Sequence, residues 1–231
     1  MLPEELLTLD RPAIICVTPH NILPWSTSGA ISKLFGGRLT VWGGAPVLFK
    51  LPMLRPLLAQ FGTFPAGKKG IHQSLADGNN VGLVLDGIAG MFCRARGHGD
   101  EQLYLRKRKA VCAIALQSGA PIVPAYCFGS NEVATVLADP LGLLRWLSIR
   151  FDVSLTPFVG RWGVPMGAPR RKPLLLAFGP AIECTQLPLD CDAAAVSAAV
   201  DAKHAELLEG YRTIFETHKE AYGYTGELTF V

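Results

Sequence analysis

The sequence is poor in charge and holds no long hydrophobic run. Asp, Glu, Lys and Arg make up 18% of the 231 residues and leave a net charge of +3. That balance lacks the strong basic excess of a nucleic-acid binder, so nucleic acid is not expected as a partner. No stretch reaches the roughly 18 unbroken apolar residues that cross a bilayer as a helix. Residues 35–64 are interrupted by Lys50, Arg55 and three prolines, and residues 133–149 by Asp139, Pro140 and Arg145. The six cysteines form no C-x-x-C pair, and no Cys/His cluster or H-E-x-x-H has the spacing of a metal site. Several sit in apolar runs and read as reduced packing residues of a cytosol-facing protein. There is no G-x-S-x-G for a serine hydrolase and no G-x-x-x-x-G-K-[ST] for nucleotide phosphates. Gly87–Gly90 does not complete a G-x-G-x-x-G. No period of 20–50 residues recurs, and the first ten residues, MLPEELLTLD, are acidic, unlike a secretory signal.

What is present is apolar residue, at 49% of the chain with a mean hydropathy of +0.28. So greasy a domain is expected to turn apolar surface toward lipid or a partner. The length suits one core, read here as one domain over residues 1–231. Residues 13–17, 39–42, 81–85, 120–126 and 174–178 read as strands, most of them short and buried. Helices are expected at 26–35, 68–76, 105–118 and 192–220, with two short ones within 46–61, where prolines divide the segment. The last long helix carries Val196, Val200, Leu207, Leu208, Tyr211, Ile214 and Phe215 as one stripe. His204 and His218 lie near that stripe and read as packing or surface residues. Residues 90–102 read as loop, and 149–158 are ambiguous. Strands alternating with helices predict an α/β fold with a mostly parallel central sheet, covered by helices on both faces.

Three buried strands each run into a polar break: Thr18–Asn21, Asp86-Gly87 and Gly129–Glu132. Parallel neighbours would bring these turns to one sheet edge, where open α/β sheets keep their chemistry. His20 stands at the first break, and an imidazole there suits a general base near neutral pH. A turn histidine bonded to nearby backbone is the alternative. The run LYLRKRK, residues 103–109, places four cations at the start of the helix expected over 105–118. Such a place favours a phosphate-bearing ligand, or else is a solvated basic face.

From about Leu9 to Gly223 the sequence resembles the diacylglycerol acyltransferase type 2 family, with its monoacylglycerol and wax-ester relatives, in the glycerolipid acyltransferase superfamily. That family's H-P-H-G corresponds to Thr18-Pro19-His20-Asn21. Its R-x-R-K, apolar helix and G-A-x-x-V-P correspond to Arg106-Lys107-Arg108-Lys109 and Gly119–Pro124. Its F-G-E-N-E is Phe128-Gly129-Ser130-Asn131-Glu132, and a G-R-G-like turn is Gly160-Arg161-Trp162-Gly163. The late H-K-x-x-[FY]-G is His218-Lys219 to Tyr222-Gly223. Thr18, Asn21, Ser130 and Gly90 depart from the family's residues. At Gly90 the resemblance places the acid that orients the histidine, and at Trp25 the wider superfamily has an aspartate.

The resemblance implies a glycerolipid-acyltransferase-like fold and acyl-CoA as co-substrate, with no other cofactor. It implies transfer of a fatty acyl group to a lipid alcohol, such as mono- or diacylglycerol, as in glycerolipid biosynthesis. His20 would be the base and Asp86 its orienting acid. Arg106, Arg108, Lys109 and Arg161 would bind CoA, with Asn131 and Glu132 shaping the site and N–H groups near Asp86–Gly90 holding the oxyanion. Residues 47–58 and 133–147 would take acyl chains or rest on the bilayer, or else are ordinary core. The two membrane helices that often precede this domain are not in the sequence, which implies a fragment or a peripheral form. The expected place is a membrane surface facing the cytosol, at the endoplasmic reticulum or a lipid droplet in a eukaryote. The competing expectation, carried by Thr18, Gly90 and Ser130, is an inactive relative that binds lipid or acyl-CoA or regulates a partner.

Overall fold

The computed structural model describes residues 4–20, 37–52, 54–60, 62–93, 100–137, 139–151, 153–188 and 190–231. The helix expected over 26–35, together with Asn21 and Trp25, lies outside them. Strand β1 (Ile14–Thr18) is followed by β2 (Thr40–Gly44), a 3-10 turn at Pro46–Lys50, helix α1 (Leu54–Gln60), β3 (Thr63–Pro65) and α2 (Lys68–Ala76). Then come β4 (Asn80–Val84), the single turn α3 (Gly87–Gly90), β5 (Glu101–Leu103), α4 (Ala110–Ser118) and β6 (Ile122–Phe128). The chain continues through β7 (Thr135–Val136), α5 (Leu143–Phe151), β8 (Phe158–Val159), β9 (Leu175–Phe178), α6 (Ala193–Tyr222) and β10 (Leu228–Phe230).

Six strands form one sheet in the order β3-β2-β4-β1-β6-β9, parallel except for β9 at the edge. Alternation along the strands divides the core into two layers. Ile14, Cys16, Val81, Ile122, Tyr126 and Phe128 face a cluster completed by Ile71 and Leu75 of α2, Val111 and Ile114 of α4, and Leu207, Ile214 and Phe215 of α6. Ala13, Ile15, Val17, Val123 and Ala125 face the other side, closed among the described residues by Leu6, Leu9, Trp42 and Phe178. The expected cover of helices on both faces is thus seen, among the described residues, on one. Helix α6 is tied to β1 where the Tyr211 hydroxyl donates to the Cys16 carbonyl at 2.8 Å. It ends at Gly223, whose φ of 94° is a conformation that glycine alone adopts cheaply.

Two expectations need correction. The helix read over 105–118 begins only at Ala110. Residues before it are taken by a second small sheet, in which β5 pairs in parallel with the C-terminal β10. Val231 and Arg106 extend that pairing, the Val231 N–H donating to the Leu103 carbonyl and the Arg106 N–H to the Val231 carbonyl. Apolar burial of Leu103, Leu105, Leu228 and Phe230 outweighs the helical preference of the basic run. Nor is 90–102 all loop, since β5 begins within it. The ambiguous stretch resolves into the end of α5 and the start of β8, a strand paired antiparallel with β7.

Candidate active site

Strands β4, β1 and β6 are parallel neighbours, with Val17 opposite Val84 and Thr18 opposite Tyr126. Their carboxyl ends therefore lie side by side, and the three polar breaks come together. His20 follows a cis Thr18–Pro19 bond and is partly exposed. Its main-chain N–H donates to both oxygens of the Asp86 carboxylate, at 3.0 and 2.8 Å. Asp86 is fully buried at the start of α3. It therefore anchors the backbone that carries the imidazole.

Burial pushes the Asp86 carboxyl from an ordinary 3.8 to about 7, while the His20 N–H and the Arg108 guanidinium favour its charged form. The volume the carboxylate occupies is available because residue 90 is glycine. A Cβ there would stand 2.2 Å from an Asp86 carboxylate oxygen and 2.4 Å from its carbon. Where the resemblance expects an acidic side chain at 90, this chain leaves a gap and fills it with a carboxylate from position 86.

A second buried carboxyl meets the same edge. Glu101 of β5 is 3% exposed and accepts from the Asn131 amide at 2.5 Å. Burial raises it to about 7; the Asn131 amide and the Tyr126 hydroxyl oppose the shift, and the nearby Glu132 and Asp86 add to it. Asn131 lies in the 3-10 turn Ser130–Glu132 just after β6, so Glu101 brings a carboxylate beside the turn in which Ser130 lacks one. Sequence reasoning did not single Glu101 out. A signal existed, because Glu101, Leu103 and Leu105 share one phase of a two-residue period, which puts the acid on the buried side of a strand.

The cations separate. Arg108 lies beside Asp86, and its guanidinium stands 5.4 Å from the centre of the Tyr104 ring, which Arg145 approaches at 5.2 Å. Lys109 instead reaches Asp201 on α6 at 2.7 Å. Arg106 is exposed and holds the C-terminal carbonyl of Val231 through its main-chain N–H. Glu132 accepts from Tyr224 at 2.9 Å and pairs with Lys172 at 2.8 Å, which binds the turn after β6 to the segments before β9 and β10. Arg161 lies on the turn after β8, stacked 4.2 Å over its neighbour Trp162. His204 is buried, with a ring nitrogen 2.9 Å from the Leu105 carbonyl, a packing role. Among the described residues no group of three or more His, Cys, Asp or Glu is arranged to hold a metal. A shallow hollow lined by Lys68, Lys69, His72, Gln73 and Ala76 of α2 shares none of the residues at this edge. A buried carboxylate, an imidazole on the backbone it anchors and a guanidinium alongside make a site that can move a proton next to an anionic ligand.

The sequence pattern that defines the family described as diacylglycerol acyltransferase matches residues 3–231. The chain is similar to human diacylglycerol O-acyltransferase 2-like protein 6, at 29% identity over 94% of this chain and 69% of that protein. Bovine 2-acylglycerol O-acyltransferase 1 is 28% identical over 89% of this chain and 64% of its own length. Rat diacylglycerol O-acyltransferase 2 is 29% identical over 95% of this chain and 60% of its own. The chain thus spans about two thirds of the length of the relatives it matches. Among solved structures, the 1-acyl-sn-glycerophosphate acyltransferase of Thermotoga maritima aligns over 90% of this chain and 70% of its own, with a TM-score of 0.48 and 11% identity.

Proposed function

Since this chain belongs to the diacylglycerol acyltransferase family, we propose that it transfers a fatty acyl group from acyl-CoA to the hydroxyl of a lipid alcohol, with mono- and diacylglycerol as the leading acceptors. His20 takes the proton from the acceptor hydroxyl as that oxygen attacks the thioester carbonyl carbon. The tetrahedral intermediate collapses with cleavage of the C–S bond, and the imidazolium returns the proton to the departing CoA sulfur. Ester and free CoA result, so no further cofactor is required. Asp86 holds the His20 main chain in place, and Arg108 attracts the phosphates of CoA. Arg106 and Lys109, with Asn131, Glu132 and Arg161 farther along, belong to the same reading with more distant parts. The reaction takes place at a membrane surface facing the cytosol.

The observation that carries this reading is the pair of hydrogen bonds from His20 N–H to the buried Asp86 carboxylate. The competing reading, an inactive relative that binds lipid or acyl-CoA or regulates a partner, rests on Thr18, Gly90 and Ser130. The carboxylates of Asp86 and Glu101 beside two of those positions weigh against it. Incubation of the purified protein with labelled acyl-CoA and a panel of lipid alcohols separates the two. Ester formation is the expected result, and binding of acyl-CoA with no ester product would favour the inactive relative.

A further inference from the structure

We infer that the excursion between β6 and β9 seats this protein on an anionic bilayer surface, with the outward side of α5 and the turn at Arg161–Gly163 entering the headgroup region. The inference rests on the acyl-transfer reading for its purpose, and on the surface of the molecule for its evidence. Helix α5 is apolar on both sides, with Leu144 and Leu147 half-buried toward the protein. Its buried residue is Ser148, whose hydroxyl accepts the Leu155 N–H at 2.9 Å. Leu143, Trp146, Ile149 and Phe151 are instead 54–61% exposed. A helix that packs on a core in water keeps its outward side polar. Among the described residues, sixteen large hydrophobics are exposed, and twelve of them lie between Leu137 and Leu174. Trp162, the most exposed tryptophan among the described residues at 78%, is held outward on a turn at a φ of 59° that non-glycine residues seldom adopt.

Charge identifies the occupant. Between residues 137 and 174 the sequence has six arginines and lysines against two aspartates. One of those aspartates, Asp139, is occupied at the start of α5, where its carboxylate accepts the Arg145 N–H at 2.8 Å. Arg170 bonds to the Thr135 hydroxyl, and Lys172 pairs with Glu132. Arg150 and Arg171 are left facing solvent beside the apolar residues, and the Arg161 guanidinium lies over the Trp162 ring. Tryptophan and arginine together suit the level of the headgroups, where an amphipathic ring and a cation both find partners. A second copy of this chain would bring the same cations face to face. Nine residues of helix extend only about 14 Å, half the thickness of the hydrocarbon layer, so α5 lies in the interface without crossing it. The excursion also abuts the site. The Ser154 hydroxyl reaches the Met91 sulfur at 3.3 Å just after α3, and Arg145 and Arg108 share the Tyr104 ring. A bilayer under α5 would therefore lie beside the turn that carries Asp86.

The test is co-sedimentation of the full chain with phosphatidylcholine vesicles, with and without phosphatidylserine, beside the double variant Trp146→Gln/Trp162→Gln. The native chain is expected to bind the phosphatidylserine vesicles more tightly, and to lose that preference as salt is raised. The variant, whose replaced side chains are exposed, is expected to keep its melting temperature and to bind about tenfold more weakly. Equal binding of variant and native chain would overturn the inference. So would failure of the native chain to bind either vesicle, or a self-association that the two substitutions abolish. Transfer to a short, water-soluble alcohol is measured in parallel. Its absence from the native chain would count against the acyl-transfer reading and leave the docking result standing.

Discussion

Gly90 and Asp86 compete for one volume, and that competition decides where the acid of this site sits. Adding a methyl group at 90 forces the Asp86 carboxylate off the His20 N–H, because the two would overlap at 2.2 Å. Gly90→Ala is therefore expected to destabilise the protein by about 1–3 kcal/mol and to cut turnover. Chemical denaturation and an acyl-transfer assay on the same preparation check both. Asp86→Asn keeps the shape and removes the charge. With its carboxyl raised to about 7, Asp86 gains its charge only as the pH passes neutrality. The native profile of log(kcat/KM) is expected to rise toward pH 7 more steeply than that of Asp86→Asn, which keeps only the limb of a histidine base; equal slopes would remove Asp86 from the profile. The sequence let His20 and Asp86 be read together, since each follows a short apolar run that ends in a polar break. It concealed that the link runs through the main chain of His20, a matter of backbone direction that no residue type encodes. Glu101 escaped notice because its partner Asn131 is 30 residues away.

Elements were legible where their own period was strong. The expected helix over 192–220 is α6, because the stripe from Val196 to Phe215 carries a 3.6-residue pattern within one segment, and the polar segment over 68–76, stopped by Asp77-Gly78, is α2. The three-residue strands β5 and β10 were not legible, for each is ordered only by the other, across more than a hundred residues. The same pairing moved the start of α4 and so separated the cations in front of it. Lys109 is engaged with Asp201 in an exposed pair, a contact typically worth about 0.2–1 kcal/mol. Arg108 is the cation that faces Asp86. Arg108→Ala is expected to raise the KM for acyl-CoA by about tenfold or more, the cost of one charge-assisted contact. Lys109→Ala is expected to change it little. Initial rates at varied acyl-CoA distinguish the two, and equal effects would return the whole basic run to the binding site.

The whole molecule bears the electrostatic cost of the site. Asp86 and Glu101 both rise from ordinary carboxyl values to about 7 on burial. Between about pH 4 and pH 7 the folded chain holds protons that the unfolded chain has already released. Their contribution therefore makes stability fall as pH rises through that window and level off above it. Urea denaturation across pH 4–8 is expected to show this decline, and Glu101→Gln to flatten part of it. A stability that climbed steadily toward pH 7 in the native chain, with the variant running parallel, would contradict the assignment. The mostly parallel sheet was expected from alternating strands and helices, and the gathering of three turns at one edge on the condition that their strands be neighbours; the order β3-β2-β4-β1-β6-β9 came only from the folded chain. The small C-terminal sheet, which holds Glu101 against that edge, came only from the folded chain.

The most direct test of the account is single-turnover release of CoA and formation of ester by the native protein and by His20→Ala, with acyl-CoA held above its dissociation constant. If His20 is the base on the backbone that Asp86 anchors, the variant binds acyl-CoA normally and its transfer step falls by about 10²–10⁴-fold. A variant that makes ester within a few-fold of the native rate would remove His20 from the chemistry.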